Sequence, residues 1–231
     1  MKKIISAAFI ASSLFAMSAQ AADVAGTSSA TFTAPLPSNT TFTGVGTNVF
    51  TWGDPSNFNV GANKLTFTGS TFSSLFDTPF KIGTLTYFNG TTASGTTPTS
   101  LTFNSSINFS QPSIPAVNSS FGLTLNSTPN TTDTTASADF VNFTSTSSSS
   151  RFVIDGVTYT VNITGFQNVV GDGFLVSSPT ELHVLEGKTA SADLFAVVTA
   201  AAPVPEPETY AMLLAGLGMM GAMARRRKSA K

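Results

Sequence analysis

The sequence predicts an all-β fold: an antiparallel sandwich of two sheets, jelly-roll-like in its connections. Composition gives the first observation, because Thr, Ser, Asn and Gly dominate the middle of the chain and Phe is abundant, with 20 in all. Thr and Phe favour strands, whereas Asn, Ser and Gly favour turns. The second observation is that apolar and polar residues alternate in short segments. The third is that no helical periodicity of useful length appears in the chain between its two terminal segments.

The chain opens with the three parts of a secretory signal peptide. Two lysines form a positively charged start, an apolar run follows from Ile4 to Met17, and Ala19 and Ala21 have the spacing of a cleavage site. The apolar run is shorter than the roughly 20 residues that span a bilayer. We therefore predict a signal-peptide helix over residues 1–21, with export through the Sec translocon and removal by signal peptidase.

Three segments alternate strictly and predict strands with one buried face and one exposed face. They are Leu101–Phe109, Phe121–Leu125 and Val157–Thr164. Asp155-Gly156 lies between the third segment and Arg151–Ile154, and this dipeptide is a type I′ hairpin signal.

Seven weaker strands bring the total to around ten. They are Ala30–Thr33, Asn48–Trp52, Lys64–Thr68, Gly83–Phe88, Ala138–Phe143, Glu181–Leu185 and Ala192–Val198. The last of these is apolar on both faces, so we predict a central position for it. The Ser/Thr run Thr144–Ser150 predicts a mobile surface loop.

Residues 203–231 combine a proline-rich break, an apolar run and a basic cluster. The prolines stop regular structure because proline lacks the N–H and fixes φ. The apolar run Tyr210–Ala224 predicts a transmembrane helix at about 208–225, and the positive-inside rule keeps the basic residues after it cytoplasmic. Those basic residues are Arg225, Arg226, Arg227 and Lys228.

This segment closely resembles the PEP-CTERM sorting signal, because Pro205-Glu206-Pro207, an apolar helix and an Arg cluster follow in that order. Tyr210 stands where the family commonly has Trp. The resemblance implies recognition by an exosortase, a membrane transpeptidase-like enzyme, with cleavage near the motif. It also implies a surface or extracellular location in a Gram-negative bacterium that makes exopolysaccharide, with at least transient membrane attachment. A plain C-terminal membrane anchor is the alternative.

Excluding both terminal segments leaves residues 22–202, enough for one domain with a sizeable core. Four Lys or Arg against ten Asp or Glu leave this domain with a net charge of −6. Its four bases are scattered, so we predict no nucleic-acid partner, because phosphate neutralisation needs clustered Lys and Arg. The chain has no Cys, which excludes disulfides and thiolate zinc sites.

Six segments of the domain occur in an order that resembles the choice-of-anchor domain, group K. They read FTWGDP (50–55), KLTFTG (64–69), GTLTYFNG (83–90), DFVNF (139–143), GVTYTVNITGF (156–166) and LEGKTASADLFAVV (185–198). Such domains join a β-rich module to interchangeable C-terminal anchors. The resemblance implies a surface location and leaves the activity open.

The search for catalytic residues identifies none. His183 is the only His, and Glu181 lies on the same face of its predicted strand. The two form either an acid/base pair or, as we expect, the exposed face opposite Leu182 and Val184. Glu181 and Glu186 would point to opposite faces of a continuous strand, which does not suit the paired carboxylates of a glycosidase.

Two ligand sites are weighed against structural alternatives. Asn130, Asp133 and Asp139 offer the oxygen ligands that calcium takes from loops, although Asx turns and caps account for the same residues. We predict no cofactor.

Trp52, Tyr87 and Phe88 offer aromatic faces on which a sugar ring could stack. Core packing of the same three side chains is the alternative, and we favour it.

These observations predict an exported, exosortase-sorted surface or matrix protein that is not an enzyme and works among exopolysaccharide, in biofilm or floc. A carbohydrate-binding module, with or without calcium, is the second hypothesis, and an extracellular hydrolase is the third. Exposed coplanar aromatic rings beside an Asp-lined loop would favour the second. A cleft with two convergent carboxylates would favour the third.

Overall fold

Two antiparallel sheets of seven strands each pack face to face around a core rich in phenylalanine. The computed structural model describes residues 23–145, 147–176, 178–200, 211–212 and 214–220. The prediction of an all-β, two-sheet sandwich is confirmed, and the jelly-roll connectivity stays a prediction. The predicted signal-peptide helix lies outside the described residues.

Strands are numbered along the chain. The first sheet contains, in spatial order, β12 (Gly173–Phe174), β13 (Glu181–Val184), β9 (Asp139–Phe143), β8 (Val117–Asn126), β7 (Ser100–Gln111), β1 (Asp23–Leu36) and β5 (Thr71–Leu75). The second sheet contains β10 (Ser147–Ile154), β11 (Val157–Gly171), β14 (Thr189–Ala200), β6 (Phe80–Phe88), β4 (Asn63–Gly69), β3 (Val49–Trp52) and β2 (Phe42–Thr43). β14 lies between β11 and β6, so its predicted central position is confirmed.

Alternation along each strand decides which side chains enter the core. In β7 the apolar residues Leu101, Phe103 and Ile107 are buried, while the polar residues between them lie on the outer face, with Ser105 the one inward-facing exception. Phe103 sits at the centre of this core. Its ring meets those of Phe67 and Phe143 edge to face, with centroids 5.0 and 5.4 Å apart.

The β10–β11 hairpin forms at the predicted dipeptide. Ile154 pairs with Val157, and both turn residues have positive φ, 48° at Asp155 and 82° at Gly156. A type I′ turn requires positive φ at both central positions, and Gly adopts it without a steric cost.

One expectation about an element is wrong, and three strands were missed. Ser147–Ile154 is strand β10, so the Ser/Thr run is not a loop throughout. Ser147 pairs with Asn162 of β11, and after an irregularity the pairing resumes at Arg151 opposite Thr160. Serine and threonine runs resemble loops in composition, but an edge strand whose partner is already formed tolerates them. The structure also contains three short strands that the sequence did not predict, which are β2, β5 and β12.

The sandwich has two ends, which β14 defines. Its first residue, Thr189, pairs with Phe88, and we call this the cavity end. The loops 89–99, 127–138 and 185–188 meet there, tied by hydrogen bonds such as that from the Asn89 N–H to the Lys188 carbonyl, 2.9 Å.

We call the opposite end, where β14 finishes at Ala200, the tail end. Ala200 pairs with Tyr159, and the Asp77 N–H donates to the Val198 carbonyl at 2.9 Å. The β10–β11 turn and the loop 112–116 lie at this end as well. The C-terminal segment therefore leaves the domain at the face opposite the cavity end.

Residues 211–212 and 214–220 are helical. Within the described part of the chain, no helix is both long and apolar enough to cross a bilayer. The predicted transmembrane helix at about 208–225 extends beyond the described residues, so it stays a prediction.

Candidate functional site

A polar cavity of about 380 Å³ opens between the three loops of the cavity end. Pockets of roughly 300–1,000 Å³ are typical for small ligands. Its lining is dominated by hydroxyl, amide, carboxylate and glycine backbone groups, among them Thr92, Ser94, Thr128, Asn130, Asp139 and Glu186. Segments that are distant in sequence thus supply one hydrogen-bonding surface.

Asp139 begins β9 and lies at the floor of the cavity, 3% exposed. Its Oδ1 accepts hydrogen bonds from the Thr128 N–H at 2.7 Å and from Thr128 Oγ1 at 3.3 Å. Burial raises the pKa of Asp139 to about 6; the Thr128 N–H opposes this shift, and the nearby Glu186 carboxylate adds to it. A carboxyl group in this state changes charge near neutral pH.

Glu186 is the second carboxylate of the cavity. It lies in the tight 185–188 loop between β13 and β14, where Gly187 has a φ of 68°. Thr91 Oγ1 donates to Glu186 Oε1 at 2.6 Å and orients the carboxylate. The loop itself is held by the Gly187 N–H, which donates to the Asn89 carbonyl at 2.8 Å.

Aromatic rings lie beneath this floor. Trp52 is 3% exposed and stacks on Tyr87, with centroids 5.6 Å apart and planes 20° apart. The Tyr87 hydroxyl donates to Asn63 Oδ1 at 3.4 Å, and burial, with added repulsion from Asp139 and Glu186, raises its pKa well above the ordinary value. The core-packing interpretation of Trp52 and Tyr87 is confirmed, and these two rings are not available to a sugar.

The three calcium candidates do not converge. Asn130 and Asp139 line the cavity, but Asp133 is not among its lining residues. Asp133 Oδ1 instead accepts from the N–H groups of Thr135 and Ala136, at 2.9 and 3.1 Å, as an Asx turn does. Across the described ranges, no three His, Cys, Asp or Glu side chains are grouped so that they could hold a metal ion.

His183 lies on the outer face of the first sheet. Its ring stacks between Phe140 and Phe174, at centroid distances of 4.4 and 5.1 Å, and its Nε2 lies 3.5 Å from Glu181 Oε2. Leu182 is fully buried on the opposite face, so the predicted sidedness of this strand is confirmed.

Sequence reasoning missed Glu186 as a partner of Asp139. The two residues are 47 positions apart. No spacing rule relates Asp139, at the start of β9, to Glu186, in the loop between β13 and β14. The available signal was the turn-forming Glu186-Gly187 dipeptide directly before a long apolar strand, which places a carboxylate at a strand end. The predictions of processing at Ala19, Ala21 and the Pro-Glu-Pro motif lie outside the described residues.

The fold and the site define an all-β sandwich with a polar cavity at one end, and its last strand ends at the other end, before the C-terminal segment. That segment is identifiable: residues 203–228 match the family model described as the PEP-CTERM protein-sorting motif, 26 of the 231 residues. No curated protein matches the chain. The motif supports export, recognition by an exosortase and a cell-surface location in Gram-negative bacteria. The resemblance to choice-of-anchor group K stays a prediction.

Proposed function

We propose that this protein is a non-enzymatic component of the extracellular matrix or cell surface, sorted by an exosortase and working among exopolysaccharide, in biofilm or floc. The sorting motif at residues 203–228 is the observation that carries the proposal. The Sec translocon, signal peptidase and an exosortase are the partners of its export. The membrane is a partner at least transiently, through the C-terminal segment.

The described domain is compatible with a structural role. Its only His is stacked between two phenylalanine rings on an outer sheet face and is not among the residues that line the cavity. Both sheet faces that point outward are rich in Ser, Thr and Asn, for example the hydrogen-bonded pair Thr86 and Ser191, 2.9 Å apart. Surfaces rich in hydroxyl and amide groups suit contact with hydrated polysaccharide.

The first prediction concerns deletion of the gene in its own host. We expect the deletion strain to show weaker cell aggregation and less matrix. The full chain should restore both, whereas a chain in which Pro205, Glu206 and Pro207 are all changed to Ala should not. Glu208→Ala, an acidic residue next to the motif, is the matched control and should complement fully. An unchanged matrix and unchanged aggregation in the deletion strain would refute the matrix role.

The intact mass of the protein recovered from the surface and the supernatant tests sorting separately. We expect a chain that begins at Ala22 and lacks Arg225–Lys231. A chain that retains those seven residues would mean an ordinary tail-anchored membrane protein and would exclude exosortase processing.

A second candidate function is sugar binding in the cavity. The observation in its favour is that Asp139 and Glu186 line one concave, hydroxyl-rich site. Carboxylates accept two hydrogen bonds from adjacent hydroxyl groups, which sugars present. Because Trp52 is buried, a sugar would be held by hydrogen bonds rather than by stacking on that ring. Glu186 also lies near enough to Asp139 to raise its pKa, and a hydrolase would need two carboxylates that converge on its substrate.

The second prediction tests sugar binding in the cavity and distinguishes it from hydrolysis. Glu186→Gln keeps the side-chain size and should weaken binding of oligosaccharides from the host polysaccharide at least about tenfold, the effect of losing one charge-assisted hydrogen bond. Glu181→Gln, on the outer sheet face, is the matched control. Calorimetry with the purified chain measures binding, and released reducing ends measure hydrolysis. Equal affinity of the Glu186 variant and the parent would exclude the cavity as the binding site.

A further inference from the structure

A groove of about 490 Å³ lies at the tail end, on the other side of the domain from the cavity. It runs between the loop 112–116 with the start of β8 and the side of β10. Ile114, Val117, Phe152 and Val153 give it apolar walls, and Arg151 lies at one side. The groove and the polar cavity share no lining residue.

One apolar wall of this groove is exposed, whereas Val117 at its base is buried and Ile114 and Phe152 are partly buried. Val153 is 62% exposed, and β10 is the outermost strand of the second sheet. An edge strand directs part of its N–H and C=O groups away from the sheet, where an extended chain can meet them. Arg151 is exposed and makes no ion pair with any residue that the structure describes.

The C-terminal segment starts within reach of the groove. Phe152 pairs with Tyr159, and Tyr159 pairs with Ala200, so two strand spacings, about 10 Å, separate Phe152 from the end of β14. Residues 201–206, if extended at about 3.1 Å each, span about 19 Å. Glu206 can therefore reach the groove, which lies about 10 Å from the end of β14. The connection needs no change in the domain.

The chemistry of the segment matches the groove. Residues 203–207 read Pro-Val-Pro-Glu-Pro, and proline-rich segments favour the extended polyproline II form that binds apolar, aromatic-lined grooves. Arg151 is the only arginine between residues 22 and 202, and Glu206 is the acid at the centre of the sorting motif. An arginine and a carboxylate form charge-assisted hydrogen bonds.

We propose that this groove is the docking site for the chain's own Pro203–Pro207 segment, with Val204 against Val153 and Glu206 against Arg151. The spacing is consistent, since two residues in β10 and two residues in polyproline II both span about 6–7 Å. The sorting motif is then held against the domain instead of trailing from it. This inference goes beyond the proposed matrix role and does not depend on it.

Engineered cysteines test the contact cleanly, because the chain has none of its own. The full chain, made in a host without exosortase and isolated in detergent, carries Val204→Cys together with Val153→Cys. The matched control replaces Val153→Cys by Val157→Cys, which is also exposed, 40%, and lies about 8 Å from Ala200 against about 10 Å for Val153. Tethering alone would therefore favour the control.

We expect the Val153–Val204 disulfide to form at least about tenfold faster than the Val157–Val204 disulfide, because docking raises the local concentration of one pair only. Equal rates, or a faster control, would overturn the proposal. Arg151→Glu should reduce the faster rate to that of the control, and adding Glu206→Arg should restore it. A rate that Arg151→Glu leaves unchanged would overturn the assignment of the Arg151–Glu206 pair.

Discussion

Phe103→Ala is expected to lower the free energy of unfolding by about 4 kcal/mol, the usual cost of removing a buried ring. Phe103 is fully buried in β7, and its ring contacts those of Phe32, Phe67, Phe121 and Phe143. These neighbours belong to both sheets, so the cavity left by alanine opens at the interface that joins them. Domains typically have only about 5–15 kcal/mol to lose.

Urea unfolding followed by Trp52 fluorescence measures this effect. Trp52 is the only tryptophan and is buried, so its emission reports the folded core. Phe58→Ala is the matched control, because Phe58 is 42% exposed in a surface loop and should cost less than about 1 kcal/mol. Losses of similar size for the two variants would mean that Phe103 does not occupy the centre of the core.

Asp139→Asn is expected to remove a pH dependence of stability between pH 4 and pH 6. The folded-state pKa of Asp139 is about 6, above the ordinary 3.8, so the folded state binds a proton that the unfolded state has released in this window. Stability from this group is therefore complete below the unfolded pKa and falls as the pH rises through 6. Between pH 4.5 and 7.5 the change is about 2 kcal/mol, at about 1.4 kcal/mol per unit.

Urea unfolding at pH 4.5 and 7.5 gives the difference between variant and parent at each pH. That difference should shift by about 2 kcal/mol in favour of the variant at the higher pH. Asp193→Asn is the control: burial acts to raise the pKa of Asp193, but hydrogen bonds from Lys81, Asn168 and Thr84 outweigh it and lower the pKa. Because its folded-state pKa is lowered, Asp193 makes stability depend on pH only below about pH 4. A shift of about 2 kcal/mol in the Asp193→Asn variant would therefore contradict the assignment to Asp139.

Alternation predicted the central strands well because their inward residues are large and apolar. Leu101–Phe109 became β7 with only one or two residues added at each end. β1 was predicted as Ala30–Thr33 but extends over Asp23–Leu36. In the part that was missed, the inner face includes Ser28, which is buried but carries no hydrophobic signal in the sequence.

The candidate site was predictable only in part. Asp139 was a candidate oxygen ligand for calcium, and the structure places it at the floor of a cavity. Its partner Glu186 comes from another strand pair, and the sheet order that brings the two together is set by long-range pairing. Core packing was the favoured interpretation of Trp52, and its ring packs inward because β3 alternates with Phe50 and Trp52 both on the buried face.

The position of β14 has a mechanical consequence. The strand that leads into the sorting segment is flanked on one side by β11 and on the other by β6, antiparallel to both. If the chain is attached through its C-terminal segment and bears a load at the cavity end, the tension would run along the axis of β14. The hydrogen bonds on both sides then resist together in shear, whereas a strand at a sheet edge, pulled away sideways, would lose them one at a time.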